Sequence, residues 1–506
     1  MIAELHCHTS EHSACSHVNA VKLIKNAYNL GLQAIVITDH HYQWDDIELK
    51  KVKQKAGVDD IFHVLAGQEI LTADYGDILV YGAKNTINKQ KATLKEIREK
   101  NPEAAIIWAH PYRNGKVPPK EKLLNPLLDG IEIFSSNHSV SESIRALKDW
   151  HEMKFKAIGG TDTHALSYTG AYPTLFDHPF ATIEELVHEL KAGRCRPYFT
   201  EIPRTGTSDT KVTEIIIGPK ASQARKKIIT KTFTNIDAWK EGERTFYLTK
   251  EISKHGFNKG KYRIPRPLDK DATNFSVMED YVSGTTLHEK ILAAGTEEAK
   301  EYLRKAARWL AKFHNFNFRI TPADEYLSIE KVRLEYYLSK MYEKNHRETA
   351  RARQILDEVW KNEVELITES PERLVQGHGD YHLKNIIVGQ DEDSGEEYIA
   401  VIDFNSSFQL PRSFDVGTFI AQFKNMFFDH PEVYRKAPIE IFYQEYLDKS
   451  DELEPDFGLN VELYKARAYL SVIYYLVKVG KGDSQNFWTI LVDAERSLAH
   501  KAFRAF

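Results

Sequence analysis

From Ile2 to Thr161 the chain repeats one pattern, a short apolar run followed by a turn and often by a stretch with helical spacing. The apolar runs are Ile2–His8, Ala34–Asp39, Phe62–Gln68, Asp77–Gly82, Ala104–Ala109, Gly130–Ser135 and Lys156–Thr161. Among the helical stretches, Val18–Leu30 stops at Gly31, and "SVSE" (139–142) and "TIEE" (182–185) have capping-box spacing. Strand–helix alternation over about 200 residues predicts an α/β domain with a mainly parallel sheet, a barrel being one form of it. In such folds the active residues gather at the C-terminal ends of the strands.

Those ends carry an unusual set of side chains. "LHCHTS" places His6 and His8 on one face of an extended segment, with Leu5 and Cys7 on the other. "TDHH" adds Asp39, His40 and His41, "GQE" adds Glu69, "WAHP" adds His110, and "TDTH" adds Asp162 and His164. Thirteen of the 21 histidines lie in residues 1–200. Neutral imidazole together with carboxylate suits zinc, manganese or iron better than magnesium or calcium. The number of ligands exceeds what one ion needs, which points to two or three metals with Glu69 as the bridge. Metals a few ångströms apart clamp the attacking and leaving oxygens of a phosphate ester. His41, His63, His151, His178 and His188 read as surface or packing histidines, and His138, in "SSNHS", as a residue that could also touch substrate or metal.

The ordered set "LHCHTS", "ITDHH", "GQEI", "WAHPY" and "GGTDTHA" resembles the PHP (polymerase and histidinol phosphatase) family. The resemblance covers nearly all of residues 1–200. It implies a distorted seven-stranded (β/α) barrel over 1–204 and a metal-dependent phosphoesterase. It also implies ligation by His6, His8, His40, Glu69, His110, Asp162 and His164. Members place an acidic residue or histidine in the loop after the first strand. Here "TSEHSACSH" offers Glu11, His12, Cys15 and His17, with Glu11 favoured and His12 next. Asp77 stands where many members have histidine.

At "EIPRTGTSDTKV" (201–212) the apolar periodicity stops, and a linker is expected over 205–212. Strand-like runs and then long helical stretches follow, dividing 213–506 into a small lobe to about 282 and a helical lobe from about 283. "HGDYHLKNIIVG" (378–389), a Gly/acidic turn and "IAVIDFN" (399–405) read as loop, strand, turn and strand. The hairpin brings Asn385 close to Asp403. Phosphoryl transfer from ATP needs a carboxylate to accept a hydroxyl proton and oxygen ligands for magnesium. Asp380 fits the first role, Asn385 and Asp403 the second.

This segment resembles the aminoglycoside phosphotransferase and choline kinase-like family, which has a two-lobed α+β protein-kinase-like fold. The resemblance implies Lys231 in "ITKTF" against the nucleotide phosphates and Glu243 in "EGERTFYL" as its helix partner. In "SVMEDYVSGTTL" it implies adenine binding by backbone near Glu279 and Tyr281. "FDVGTF" supplies Asp415, and "IIIGPKASQARKK" stands as a glycine-poor phosphate loop with Gly218 alone.

Composition narrows the partners. Lys and Arg total 68 against 73 Asp and Glu, a net charge of -5, so a nucleic-acid substrate is not favoured. Three cysteines form no disulfide framework, strand-like sequence begins at Ile2, and no apolar stretch is long enough to span a bilayer. A cytoplasmic enzyme is expected. The expectation is a bifunctional enzyme, with two to three transition metals (Zn, Mn or Fe) in its phosphoesterase half and ATP with Mg in its kinase half. Its substrates would be a small phosphorylated metabolite or nucleotide and ATP or another NTP. Nucleic-acid end processing, a non-phosphate hydrolase and a regulatory first half are the alternatives.

Overall fold

Each of the seven apolar runs forms a strand in the computed structural model, which describes residues 1–88, 91–219, 226–391 and 394–502. They are β1 (Ile2–Glu4), β2 (Ala34–Ile37), β3 (His63–Thr72), β4 (Gly76–Tyr81), β5 (Ala105–Trp108), β6 (Gly130–Phe134) and β7 (Ala157–Gly159). Two further strands, β8 (Thr174–Phe176) and β9 (Cys195–Pro197), extend the sheet to nine in the order β7-β6-β5-β4-β3-β2-β1-β8-β9. The expected count of seven is therefore corrected. β8 and β9 are three-residue antiparallel strands, too short to show a periodicity.

β4 also departs from the expected parallel arrangement, being antiparallel to both β3 and β5. Only Ala73, Asp74 and Tyr75 separate β3 from β4, and Gly76 takes φ +72°. A connection that short closes a hairpin, since a parallel crossover needs about a dozen residues. Past the strand ends the backbone pairing continues. His8 N–H donates to Thr163 O at 3.1 Å and Thr163 N–H to His6 O at 3.3 Å, so the sheet nearly closes on itself.

The helices between strands form where the sequence caps them. Ser139 with Glu142 and Thr182 with Glu185 make complete capping boxes at Val140–Met153 and Ile183–Ala192. Ala3, Leu5, Val36, Leu79, Tyr81 and Ile107 fill the interior of the sheet.

The chain divides into two compact units, one of Met1–Trp239 with Leu268–Tyr281 and one of Lys240–Pro267 with Val282–Phe506. The first unit holds a second sheet of five strands, in the order Phe199–Arg204, Thr210–Ile217, Lys226–Phe233, Ser276–Asp280 and Pro267–Asp271. The expected linker is thus a hairpin. Phe199–Arg204 pairs with Thr210–Ile217 over six residue pairs, and 205–209 is its turn. Thr and Ser with a single Gly make that turn polar, and the facing strands are too exposed to announce themselves by alternation. Ile215, Ile217, Ile228 and Met278 of this sheet share one core with Ile131 and Phe134 of the larger sheet and Leu147 of helix Val140–Met153. Arg145 reinforces the packing with Nη2 at 3.1 Å from Asp271.

The second unit is mainly helical. Long helices Thr296–Asn315, Ala323–Glu343, Thr349–Glu369, Arg412–Met426 and Phe457–Lys478 surround a four-stranded sheet. Its order is Tyr262–Arg263, Glu397–Val401, Ile386–Gln390 and Thr285–Thr286. No helix among the described residues is long and apolar enough to cross a membrane.

Candidate metal centre and phosphotransfer loop

Past the end of β1, His6 and His8 turn to one side and Cys7 to the other, where its Sγ donates to Val36 O at 3.2 Å. Both imidazoles are fully buried. His8 Nε2 lies 3.1 Å from Glu69 Oε2 and 3.0 Å from Asp162 Oδ1, and His6 Nε2 lies 3.5 Å from both. His40 Nδ1 approaches Glu69 Oε2 at 3.1 Å, and His110 Nε2 approaches Glu69 Oε1 at 3.2 Å. Glu69 is thus the shared carboxylate. Because β4 runs backwards, its beginning lies beside the end of β5, which brings Asp77 Oδ2 to 3.9 Å from His110 Nε2.

Among the described residues three groups of donors could each hold an ion: His6, His8, Glu69 and Asp162; Glu69, Asp77 and His110; and His8, Cys15 and His40. Glu69 Oε2 and Asp162 Oδ1 are buried and accept no hydrogen bond among the described residues. Two uncompensated carboxylate oxygens against imidazole nitrogens fit a set of divalent cations, because buried charge left unpaired is costly. Without a cation, burial opposes protonation of His8, but the Asp162 and Glu69 carboxylates beside it prevail and push it up to about 9. His110 and Asp162 take φ +28° and +55°, left-handed values held at two residues of this cluster.

The supporting shell is specific. Glu132, wholly buried on β6, accepts from His6 Nδ1 at 2.9 Å and from the His110 N–H at 2.9 Å. His164 donates Nδ1–H to Asp162 O at 2.9 Å, leaving Nε2 facing Cys15 Sγ at 3.1 Å. Asp39 is no donor to the centre. It accepts from Thr9 N–H at 2.7 Å, Ser13 Oγ at 2.6 Å and Trp44 Nε1 at 2.7 Å, pinning the loop after β1.

That loop corrects one expected ligand. Glu11 accepts the Ala20 N–H at 3.0 and 3.1 Å, capping helix Ala20–Asn29, and His12 stacks on Tyr42 at 3.5 Å between ring centroids. The residue the loop brings to the centre is Cys15. Helix-capping uses the carboxylate that the family resemblance offered to a metal. His138 is buried, its Nε2 accepts the Tyr112 N–H at 3.3 Å, and burial pushes it down to about 4. Glu132 went unread in the sequence, although a glutamate inside the apolar run "GIEIF" is itself a signal.

In the second unit the hairpin forms as read. Ile386 pairs with Val401, and the Ile402 N–H donates to Asn385 O at 2.9 Å, so the loop residues flank the start of one strand and the end of the next. Asn385 Nδ2 donates to Asp380 O at 3.0 Å and to Asp380 Oδ2 at 3.3 Å. The Asp380 side chain remains 45% exposed, with His382 Nε2 3.5 Å from Oδ2. Burial works against its charge, but His382 outweighs this and holds the carboxyl below its ordinary range. Asp403 takes φ +68°.

Asp415 braces the loop from below. It accepts the His378 N–H at 2.6 Å, the Gly379 N–H at 2.8 Å and a bond from His314 Nε2 at 3.0 Å. His378 Nε2–H donates to Ile402 O at 3.0 Å, which leaves Nδ1 to accept the Asp380 N–H at 3.3 Å. Gly379, at φ +82°, packs so closely on Ser406 O that a Cβ would overlap it.

The expected nucleotide residues are placed as follows. Lys231, on strand Lys226–Phe233, has its Nζ 2.9 Å from Glu279, and both belong to the first unit. Glu243 lies on helix Ile236–Ile252 and belongs to the second. In the segment near Glu279 and Tyr281, whose backbone is expected to bind adenine, the Tyr281 N–H donates to Lys227 O at 3.1 Å. In the glycine-poor loop, Gly218 takes φ +87°, and residues 220–225 lie outside the described residues.

Residues 236–453 match the phosphotransferase enzyme family, APH. The match spans the hairpin and the Asp380 loop. A curated relative, an uncharacterised protein of Methanocaldococcus jannaschii, is 28% identical over 151 residues, 27% of this chain and 84% of that protein. Among solved structures, choline kinase from Cryptosporidium parvum aligns at 12% identity over 61% of this chain and 91% of that one, with a TM-score of 0.40. Ethanolamine kinase of Plasmodium vivax aligns at 16% identity, covering 61% and 83%, with a TM-score of 0.38. A Bifidobacterium adolescentis protein described as a metal-dependent phosphoesterase aligns at 16% identity, covering 32% and 87%, with a TM-score of 0.26.

Proposed function

We propose that the chain joins two phosphate chemistries, metal-dependent hydrolysis of a phosphate ester in the nine-stranded domain and ATP-dependent phosphorylation of a small-molecule hydroxyl in the phosphotransferase domain. The first rests on the pair of buried, uncompensated oxygens, Glu69 Oε2 and Asp162 Oδ1, set among four imidazoles. The PHP resemblance of the same residues supports it. His6, His8, Glu69 and Asp162 would hold one cation, and Glu69, Asp77 and His110 a second. Such cations supply positive charge for phosphoryl oxygens and acidify water near neutral pH. Glu132 orients His6 and His110, the buried wall excludes bulk water, and substrate enters past exposed His40 and half-exposed His164.

The second chemistry rests on the bond from Asn385 to Asp380. It holds the Asp380 carboxylate, charged and still in contact with solvent, where a substrate hydroxyl can give up its proton. Asn385 and Asp403 would hold magnesium, the ion that neutralises phosphate charge on ATP. Lys231, ion-paired to Glu279 on the small sheet, keeps the phosphate-binding role that the family resemblance implies.

Substrates are a phosphorylated metabolite or nucleotide for the first site and a small alcohol with ATP for the second. Incubating full-length protein with panels of phosphate esters and alcohols tests both. Phosphate release that needs added Zn or Mn, and ADP release that needs Mg and a particular alcohol, are expected. Hydrolysis undiminished by chelation would overturn the first assignment, and absence of ATP turnover across the panel the second.

A further inference from the structure

Of the three cysteines Cys15 alone is exposed, while Cys7 is buried and Cys195 lies between. Its position is built. On one side Ser13 donates its N–H to Thr9 O at 2.9 Å and its Oγ to Asp39 at 2.6 Å. On the other, Ser16 Oγ donates to His8 O at 2.9 Å and the His17 N–H donates to His164 O at 3.2 Å. The turn so pinned delivers Sγ to 3.1 Å from His164 Nε2 and into a donor set with His8 and His40 whose atoms lie within 4.8 Å of one another. Independently, Glu69 Oε2, buried and without a hydrogen bond, lies 3.1 Å from both His8 and His40.

We propose that Cys15 is a thiolate ligand, which makes this corner of the centre a thiophilic position selective for zinc. The proposal rests on the metal reading above and deepens it. The other two donor groups contain only nitrogen and oxygen and accept manganese, iron or zinc alike, whereas thiolate sulfur favours soft or borderline ions and disfavours manganese and magnesium. One chain would therefore hold chemically unlike positions, with the exposed one filled by a different ion rule. His164 supports it from the far side, since its Nδ1–H is already donated to Asp162 O and only Nε2 is left to ligate.

The test uses full-length protein stripped of metal and reloaded with Co(II), Zn(II) or Mn(II). Co(II) loading of the native protein is expected to give a thiolate-to-cobalt charge-transfer band, and Cys15→Ser to lose that band together with one equivalent of bound metal. Circular dichroism controls for folding of the variant. Iodoacetamide labelling read by mass spectrometry provides a second readout. Zinc is expected to slow labelling of Cys15 by about tenfold or more, because a ligated thiolate is no longer a free nucleophile, while manganese leaves it fast. A cobalt-loaded protein without the band, or equal labelling with and without zinc, would overturn the thiolate proposal and leave the nitrogen–oxygen positions standing. Failure to take up any of the three metals would overturn both.

Discussion

Glu132 Oε1 stands 2.9 Å from His6 Nδ1, and its second oxygen accepts the His110 backbone N–H at the same distance. One carboxylate on β6 thereby fixes two histidines of the cluster, just past the ends of β1 and β5. Because His6 gives Nδ1–H to Glu132, its Nε2 is the nitrogen that faces Glu69 and Asp162 and would be free to hold a cation.

Replacing Glu132 with Gln should keep the fold and weaken this orientation. Metal affinity is expected to fall by about 10–100-fold, the usual cost of losing such a partner. Competition with a chromogenic chelator measures it, and unchanged affinity would show that Glu132 is only structural.

The two chemistries should separate by mutation. Asp380→Asn and Asp403→Ala are each expected to lower phosphoryl transfer by about two orders of magnitude or more, since positioning and charge neutralisation make up most of this catalysis. Metal-dependent phosphate release should persist in both variants, which parallel assays on one preparation would establish.

Stability of the helical unit should fall as pH rises. Arg467 donates to Glu330 at 2.8 and 2.9 Å, while Tyr326 OH donates to Glu363 at 2.7 Å, all buried. Burial first, and then Glu330, push Glu363 up to about 8. A folded-state pKa above the unfolded value means that the folded chain retains a proton the unfolded chain has lost. Stability from this group is thus fully present below about pH 4.5 and is lost as pH rises towards about 8. Glu363→Gln, neutral at every pH, should flatten that decline. Denaturant melts of both proteins at about pH 5 and about pH 9 compare them, and parallel curves would refute the assignment.

Cleavage in the turn 205–209 should not release separate halves. Six residue pairs join Phe199–Arg204 to Thr210–Ile217, and the second strand continues into the core shared with Phe134 and Leu147. A chain nicked there is expected to elute from gel filtration as one particle and to dissociate only in denaturant.

The residues of both centres were legible in sequence because strand periodicity and short motifs are local properties. His6, His8, Glu69, His110 and Asp162 meet as the motif order predicts, and the hairpin bearing Asn385 and Asp403 forms from its own turn chemistry. What failed was non-local. Glu11 and Cys15 both offered a ligand in the loop after β1, and only the folded chain shows the first capping a helix while the second reaches the centre.

Sequence alone therefore determined the strand identities, the clustered His, Asp and Glu side chains and the hairpin that carries Asn385 and Asp403, since each is written in patterns of a few residues. Tertiary structure decided the nine-strand count, the reversed β4 beside His110, the service of Glu132 to two ligands, and the joining of the small sheet to the larger domain. These depend on which segments, distant in the chain, come to exclude water from one another, and no local pattern encodes that choice.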